Sequence, residues 1–203
     1  MQPTQDILKL KLDRLERSVS QRKSSSHCLR LWGDFIRYRD GNECIGCQKK
    51  KKLAAHHILR KSFLGAAQFQ TGNGITLCKS CHGEAHEGFN RKANLRLPMD
   101  AQGGEKIELL TALFGALISN ARSRNLLCDE FYFLSDQVLQ AFKKFQSFSP
   151  TTHFPGNRIE QAFLIWKQTP QNMRNALLEA NGIAPPRDFI QTGAITIFYD
   201  GLK

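Results

Sequence analysis

Residues 44–47 read CIGC, residues 54–62 read AAHHILRKS, and residues 72–86 read GNGITLCKSCHGEAH. Two CxxC pairs, Cys44/Cys47 and Cys78/Cys81, enclose a His-His pair, and the second pair runs directly into two further histidines. Four thiolates suit tetrahedral zinc, and each two-residue gap lets one knuckle turn supply two ligands. The 30 residues between the pairs exceed the spacing usual in a zinc ribbon. A hairpin fills that gap, so the metal would clip the start of the motif to the start of its helix. A closed four-thiolate site leaves no open position for substrate, so the zinc expected at Cys44, Cys47, Cys78 and Cys81 is structural. A small unit of this kind has little core, and a zinc staple offsets that deficit. The competing reading is four reduced cysteines without metal.

Working outward, Leu53 to Leu59 reads as a strand carrying His56 and His57, and Lys49 to Lys52 as a basic hairpin tip. Residues 60–73 read as a loop, Ile75 to Cys78 as a second short strand, and Lys79 or Ser80 to about Phe89 as a helix. The order is strand, loop, strand, helix. Neighbours on a flat strand point to opposite faces. His56 and His57 can therefore share one site only if the strand twists or ends there. His82 and His86 stand at i and i+4 on one helix face, a ready metal chelate. Asn73 lies in GNG, where an amide side chain can bond backbone groups and fix a tight loop. Four of the six histidines fall within 31 residues, alongside four cysteines. Core packing does not explain that clustering.

The pair, the Asn, the CxxCH and His86 occur in the order found in the HNH, or ββα-metal, endonuclease family, and residues 28–90 resemble that family. The resemblance covers under a third of the chain. It implies a ββα core with a general base, His57, that takes a proton from water. It implies His56 and His82 as strand and helix ligands of one catalytic divalent metal, with Asp standing at the first place in other members. His86 matches the further helix histidine of colicin-like members, which also binds metal. Asn73 matches the motif Asn, which in some members binds the metal and in others braces the loop that positions the base. Colicin-like members carry an acidic residue shortly before the His pair, where this chain has Ala54 and Ala55. The resemblance further implies double-stranded DNA as substrate and 5′-phosphate and 3′-hydroxyl products. Imidazole ligands suit zinc, nickel or manganese, whereas magnesium prefers oxygen. Arg60 and Lys61, just past the His pair, are candidates to hold the phosphates flanking the cut. The alternative is a zinc-binding module that binds nucleic acid without cutting it.

Charge points the same way. The formal net charge is +11. Residues 1–97 hold 19 Lys+Arg against 8 Asp+Glu, and residues 98–203 hold 10 of each. All the excess sits in the half with the metal motifs, as expected where a polyanion must reach a site. No apolar run reaches the roughly 18 residues needed to span a membrane. The N-terminus, MQPTQDILKLKLDRLERS, has no apolar core of a secretory signal. A cytoplasmic protein that does not meet a membrane is expected, and paired CxxC spacing in that compartment indicates metal rather than disulfides. Cys28 and Cys128 read as ordinary thiols.

The fold class expected is α+β: a zinc-stapled ββα core at 28–97, a basic amphipathic helix and linker at 1–27, and a mainly helical region of unknown role at 98–203. Leu8, Leu12, Leu15 and Val19 mark one face of the first helix. It could lie on DNA, pair with a second copy in a homodimer, or pack on its own domain. A helix over Cys28 to Arg39 carries Leu31, Phe35 and Ile36 on its apolar face. In the C-terminal half one helix follows Gly103-Gly104, and Ser135 caps a second. A third covers about Arg158 to Lys167, and Thr169-Pro170 starts a fourth. The fourth loosely suggests a helix-turn-helix, which the region's zero net charge opposes. Ala194 to Tyr199 reads as a lone strand.

Overall fold

A computed structural model of the chain describes residues 5–62, 64–86 and 107–167, together with the backbone of 188–192 and 195–199. The fold is mixed α+β. The chain divides into two compact units, Met1–Gln168 and Thr169–Lys203. The divisions expected at 27/28 and 97/98 both fall inside the first unit.

The first unit opens with two helices, α1 (Gln5–Ser20) and α2 (Ser25–Arg39). Leu8, Leu12 and Leu15 of α1 are buried, and α1 packs on α2. The apolar stripe of α1 is thus spent on its own domain, one of the three uses its sequence allows. The Ser24-Ser25-Ser26 run is a start signal: the Ser24 hydroxyl caps α2 by accepting from the His27 backbone N–H. Between the helices Arg22 takes a left-handed φ of 52°.

Next come β1 (Leu53–His57), 3-10 turns at Gly65–Ala67 and Thr71–Asn73, β2 (Gly74–Cys78) and α3 (Lys79–Ala85). The strands pair antiparallel, with His56 opposite Ile75 and His57 opposite Gly74. The ladder stops at His57 rather than at Leu59. Beyond it the Ile58 N–H turns to the Asn73 carbonyl, and the Leu59 N–H to the Asn73 side chain. Helix α3 ends at Ala85, short of the expected Phe89; residues 87–106 lie outside the described residues.

Helices α4 (Ile107–Ser123), α5 (Asp136–Phe145) and α6 (Arg158–Lys167) follow their expected positions. Ser135 caps α5 through the Val138 N–H. Phe114, Phe142 and Trp166 stack edge to face at 6.1 and 5.5 Å and fill the space between the three helices.

This helical part holds the hairpin in place. Arg39, at the end of α2, is fully buried. Its guanidinium bonds Asp40 at 2.8 Å, donates to the carbonyls of Thr71 and Gly74 at 2.7 Å each, and lies 4.2 Å from the Tyr132 ring centre. Asp40 in turn accepts the Thr76 N–H at 2.7 Å. Buried charge is tolerable only when it is satisfied this fully. The Gly72 N–H donates to the Phe133 carbonyl at 2.8 Å. A Cβ on Gly72 would meet Leu134 and the Tyr132 carbonyl at 2.7 Å, and one on Gly74 would meet Trp32 and Ile36 at 2.6 Å. The two glycines around Asn73 are therefore set by packing.

Of the second unit, two strands are described, β3 (Asp188–Thr192) and β4 (Ile195–Tyr199), paired antiparallel. The expected lone strand at 194–199 is corrected: it has a partner. The fourth helix expected from Thr169-Pro170, with its suggested helix-turn-helix, lies outside the described residues.

Candidate metal centre

Two clusters of metal-ligating side chains form around the β1–β2 hairpin. The first is Cys44, Cys47, Cys78 and Cys81, whose sulfurs all lie within 4.8 Å of one another. Backbone bonds build the knuckle. The Cys44 N–H donates to the Lys49 carbonyl, and the Gln48 N–H returns to the Cys44 carbonyl. The Ile45 N–H reaches the Thr76 carbonyl and so hangs the knuckle on β2. Gln48 needs a left-handed φ of 61° to close the turn. Zinc–sulfur bonds of about 2.3 Å in a tetrahedron separate sulfurs by about 3.8 Å. Cys47 and Cys78 sit at 3.5 Å, well beyond the roughly 2.05 Å of a disulfide. The Cys81 backbone, hydrogen-bonded to Cys78, leads the groups that draw the Cys78 thiol down to about 6. All six cysteines are free, and this donor set is compatible with structural zinc.

The second cluster is His56, His82 and His86, again with ligand atoms within 4.8 Å. The rings meet edge to face, 5.0 Å apart for His56–His82, 4.9 Å for His56–His86 and 4.6 Å for His82–His86. His56 is buried, and its Nε2 has no hydrogen-bond partner among the described residues. Leaving such an atom unsatisfied costs about 1–3 kcal/mol, and a cation on the lone pair would relieve it. Burial holds the His56 ring down to about 3, helped by the charges of His82 and His86 and then of His57 and Arg60. Burial also lowers His82 and His86. Three neutral imidazoles converging from a strand and a helix could hold a divalent ion, and imidazole nitrogen suits zinc or nickel better than oxygen-seeking magnesium.

His57 faces elsewhere. Its ring stacks on Trp32, centroids 4.1 Å apart and planes 8° from parallel. Its Nε2 lies 2.9 Å from the Gln68 carbonyl oxygen. A carbonyl only accepts, so Nε2 carries the proton and a neutral ring keeps its lone pair on Nδ1. Burial lowers the His57 pKa; the Gln68 carbonyl opposes that shift and the Lys61 charge adds to it. The strand's alternation has separated the two histidines: His56 joins the metal cluster and His57 does not.

Asn73 is fully buried. Its Oδ1 accepts the Leu59 N–H at 2.8 Å, and its Nδ2 donates to the carbonyls of Leu59 at 2.9 Å and Ala67 at 3.3 Å. The side chain ties both ends of the loop that follows the His pair. Of the two roles the resemblance allows, the bracing geometry is the one present. Lys61 is exposed and Arg60 half-buried at the same loop. Their charges lower His57 and His56 respectively, so both stand beside the imidazoles. Glu84 is exposed on α3.

Trp32 and Gln68 escape sequence reading. Trp32 lies 25 residues before His57 on another element, and Gln68 acts through its backbone. No local pattern marks either one. No family model, curated protein or solved structure matches this chain.

Proposed function

We propose that this chain is a metal-dependent endonuclease of the HNH, or ββα-metal, type that hydrolyses DNA phosphodiester bonds. The observation that carries the reading is the division of labour across β1. His56 turns to His82 and His86, while its neighbour His57 is oriented by Trp32 and by the Gln68 carbonyl. A scaffold needs no oriented neutral imidazole beside a three-histidine cluster; hydrolysis needs both.

In this reading His57 Nδ1 accepts a proton from the attacking water, since the Nε2 proton is already committed to Gln68. The carbonyl then steadies the imidazolium that forms. His56, His82 and His86 would hold one divalent ion, which would supply positive charge to the scissile phosphate and to the departing 3′ oxygen. Asn73 keeps the 58–67 loop closed on the hairpin, which fixes where Arg60 and Lys61 present their charge to the flanking phosphates. Cys44, Cys47, Cys78 and Cys81 hold the structural zinc that pins α3, and with it His82 and His86, to the hairpin.

Supercoiled plasmid incubated with the full chain and a panel of magnesium, manganese, nickel and zinc tests the proposal. Nicked or linear product that depends on the divalent ion supports it. Plasmid that is retarded but uncut in every metal would favour the non-cutting nucleic-acid module instead.

A further inference from the structure

The outer face of the zinc knuckle carries a feature that the hydrolytic site does not use. Lys49, Lys51 and Lys52 of the hairpin entry and Lys79 of α3 line an open groove of about 750 Å³. All four lysines are exposed. None has an ion-pair partner among the described residues. From Cys44 to Gly83 the chain has seven Lys+Arg and no Asp or Glu. Glu84 is the one acid on the groove wall. The Lys79 N–H donates to the Lys52 carbonyl at 3.1 Å, so the two lysine-bearing segments are fixed to each other rather than merely adjacent.

Gly83 gives the groove a second, independent mark. It lines the groove from inside α3. Glycine is the least favourable helix residue after proline. Among the described residues no neighbour crowds Gly83: a Cβ built there meets nothing within 4 Å. Gly72 and Gly74, by contrast, are forced by close neighbours. A glycine with open space in front of it, on the floor of a cationic groove, suits the close approach of a ligand's backbone. His82 and His86 project from the adjacent face of the same short helix.

We infer that this groove holds the sugar–phosphate backbone of the DNA duplex beside the cut, with Lys49, Lys51, Lys52 and Lys79 neutralising phosphates and Gly83 admitting the backbone against α3. The inference rests on the proposed nuclease reading for the identity of the partner only.

Binding of the full zinc-loaded chain to a short DNA duplex across a salt series tests it, in a His57→Ala background that leaves the duplex intact. Each phosphate contact contributes about 0.9 to the slope of log K against log salt. Lys49→Gln with Lys79→Gln together should lower the slope by about 2, whereas Lys144→Gln, exposed on α5, should leave it unchanged. Gly83→Ala should raise the thermal midpoint, as Gly→Ala does in a helix, and yet weaken DNA binding. A merely structural glycine cannot produce that opposition. An unchanged slope in the double variant, an equal slope change in Lys144→Gln, or undiminished binding by Gly83→Ala each overturns the groove. Plasmid cleavage by the parent chain is scored separately. A chain that cuts but fails these tests loses the groove and keeps the nuclease; one that passes them without cutting loses the nuclease and keeps the groove.

Discussion

The Trp32 indole lies flat on the His57 imidazole, 4.1 Å between centroids and 8° from parallel. The indole is itself anchored, since its Nε1–H donates to the Gln70 carbonyl at 3.2 Å, two residues past the Gln68 carbonyl that accepts the hydrogen bond from His57 Nε2–H. One loop therefore fixes both the ring and the plate on which it rests.

Trp32 should act as a positioning residue for the base. Trp32→Phe keeps an aromatic plate and loses the bond to Gln70, so kcat should fall by up to about tenfold, or about 1.4 kcal/mol, with KM little changed. Trp32→Leu should lose more. Metal content and circular dichroism of both variants report whether the fold survives. Wild-type kcat in a folded Trp32→Leu would show that the stack does nothing for the reaction.

The Asn73 side chain is committed to three backbone groups. Asn73→Asp keeps the shape and the bond from Leu59 N–H, but it cannot donate to the Leu59 and Ala67 carbonyls and faces them with buried charge. Two lost bonds with unsatisfied partners should cost about 2–5 kcal/mol, read as a lower urea midpoint. An unchanged midpoint would mean the bracing is not what holds this loop.

Purified protein should carry one zinc per chain that survives in His56→Ala, His82→Ala and His86→Ala, because the thiolate site is separate from the imidazole site. Cys44→Ser or Cys81→Ser should release it and unfold the hairpin, as structural zinc contributes folding energy directly. Elemental analysis of each variant decides. Either cysteine variant keeping both zinc and fold would refute the four-thiolate site.

Burial disfavours the charged form of His57, and Lys61 adds to this, so its pKa lies below the ordinary 6.5 despite the opposing Gln68 carbonyl. A base that loses its proton below 6.5 is already neutral at pH 7. The acid limb of log kcat/KM against pH should therefore be centred below 6.5, with a flat rate from about pH 7 upward. An acid limb centred above 6.5 would contradict the assignment.

Local patterning made much of this legible. The i, i+4 spacing of His82 and His86, the two CxxC turns and the apolar stripes of α1, α4 and α5 all act between residues one helical turn or one knuckle apart. The strand alternation of His56 and His57 was equally readable, and it does separate the two side chains. What stayed silent acts across long stretches of chain. Arg39 ties Gly74 of β2 to Phe131 by donating to both backbone carbonyls, which have no sequence signature. Trp32 meets His57 through tertiary packing alone. The partner of β4 escapes sequence reading because Asp188–Thr192 mixes Asp, Gln and Thr with two apolar residues and gives only a weak strand pattern. The helical half reads as a separate region by charge, yet its 131–134 segment packs against Gly72 and Thr71 and so helps hold the Asn73 turn.

The central claim is that neighbours His56 and His57 do different work, one holding metal and the other activating water. It is tested most directly by plasmid cleavage in His57→Ala and His82→Ala, each titrated with the divalent ion that best supports the parent chain. The account predicts that His57→Ala loses about 10²–10⁴ in rate at every metal concentration while binding metal as before. It predicts that His82→Ala is equally poor at low metal and partly recovers as metal is raised. Full activity in His57→Ala would contradict the account, and so would recovery of that variant by excess metal.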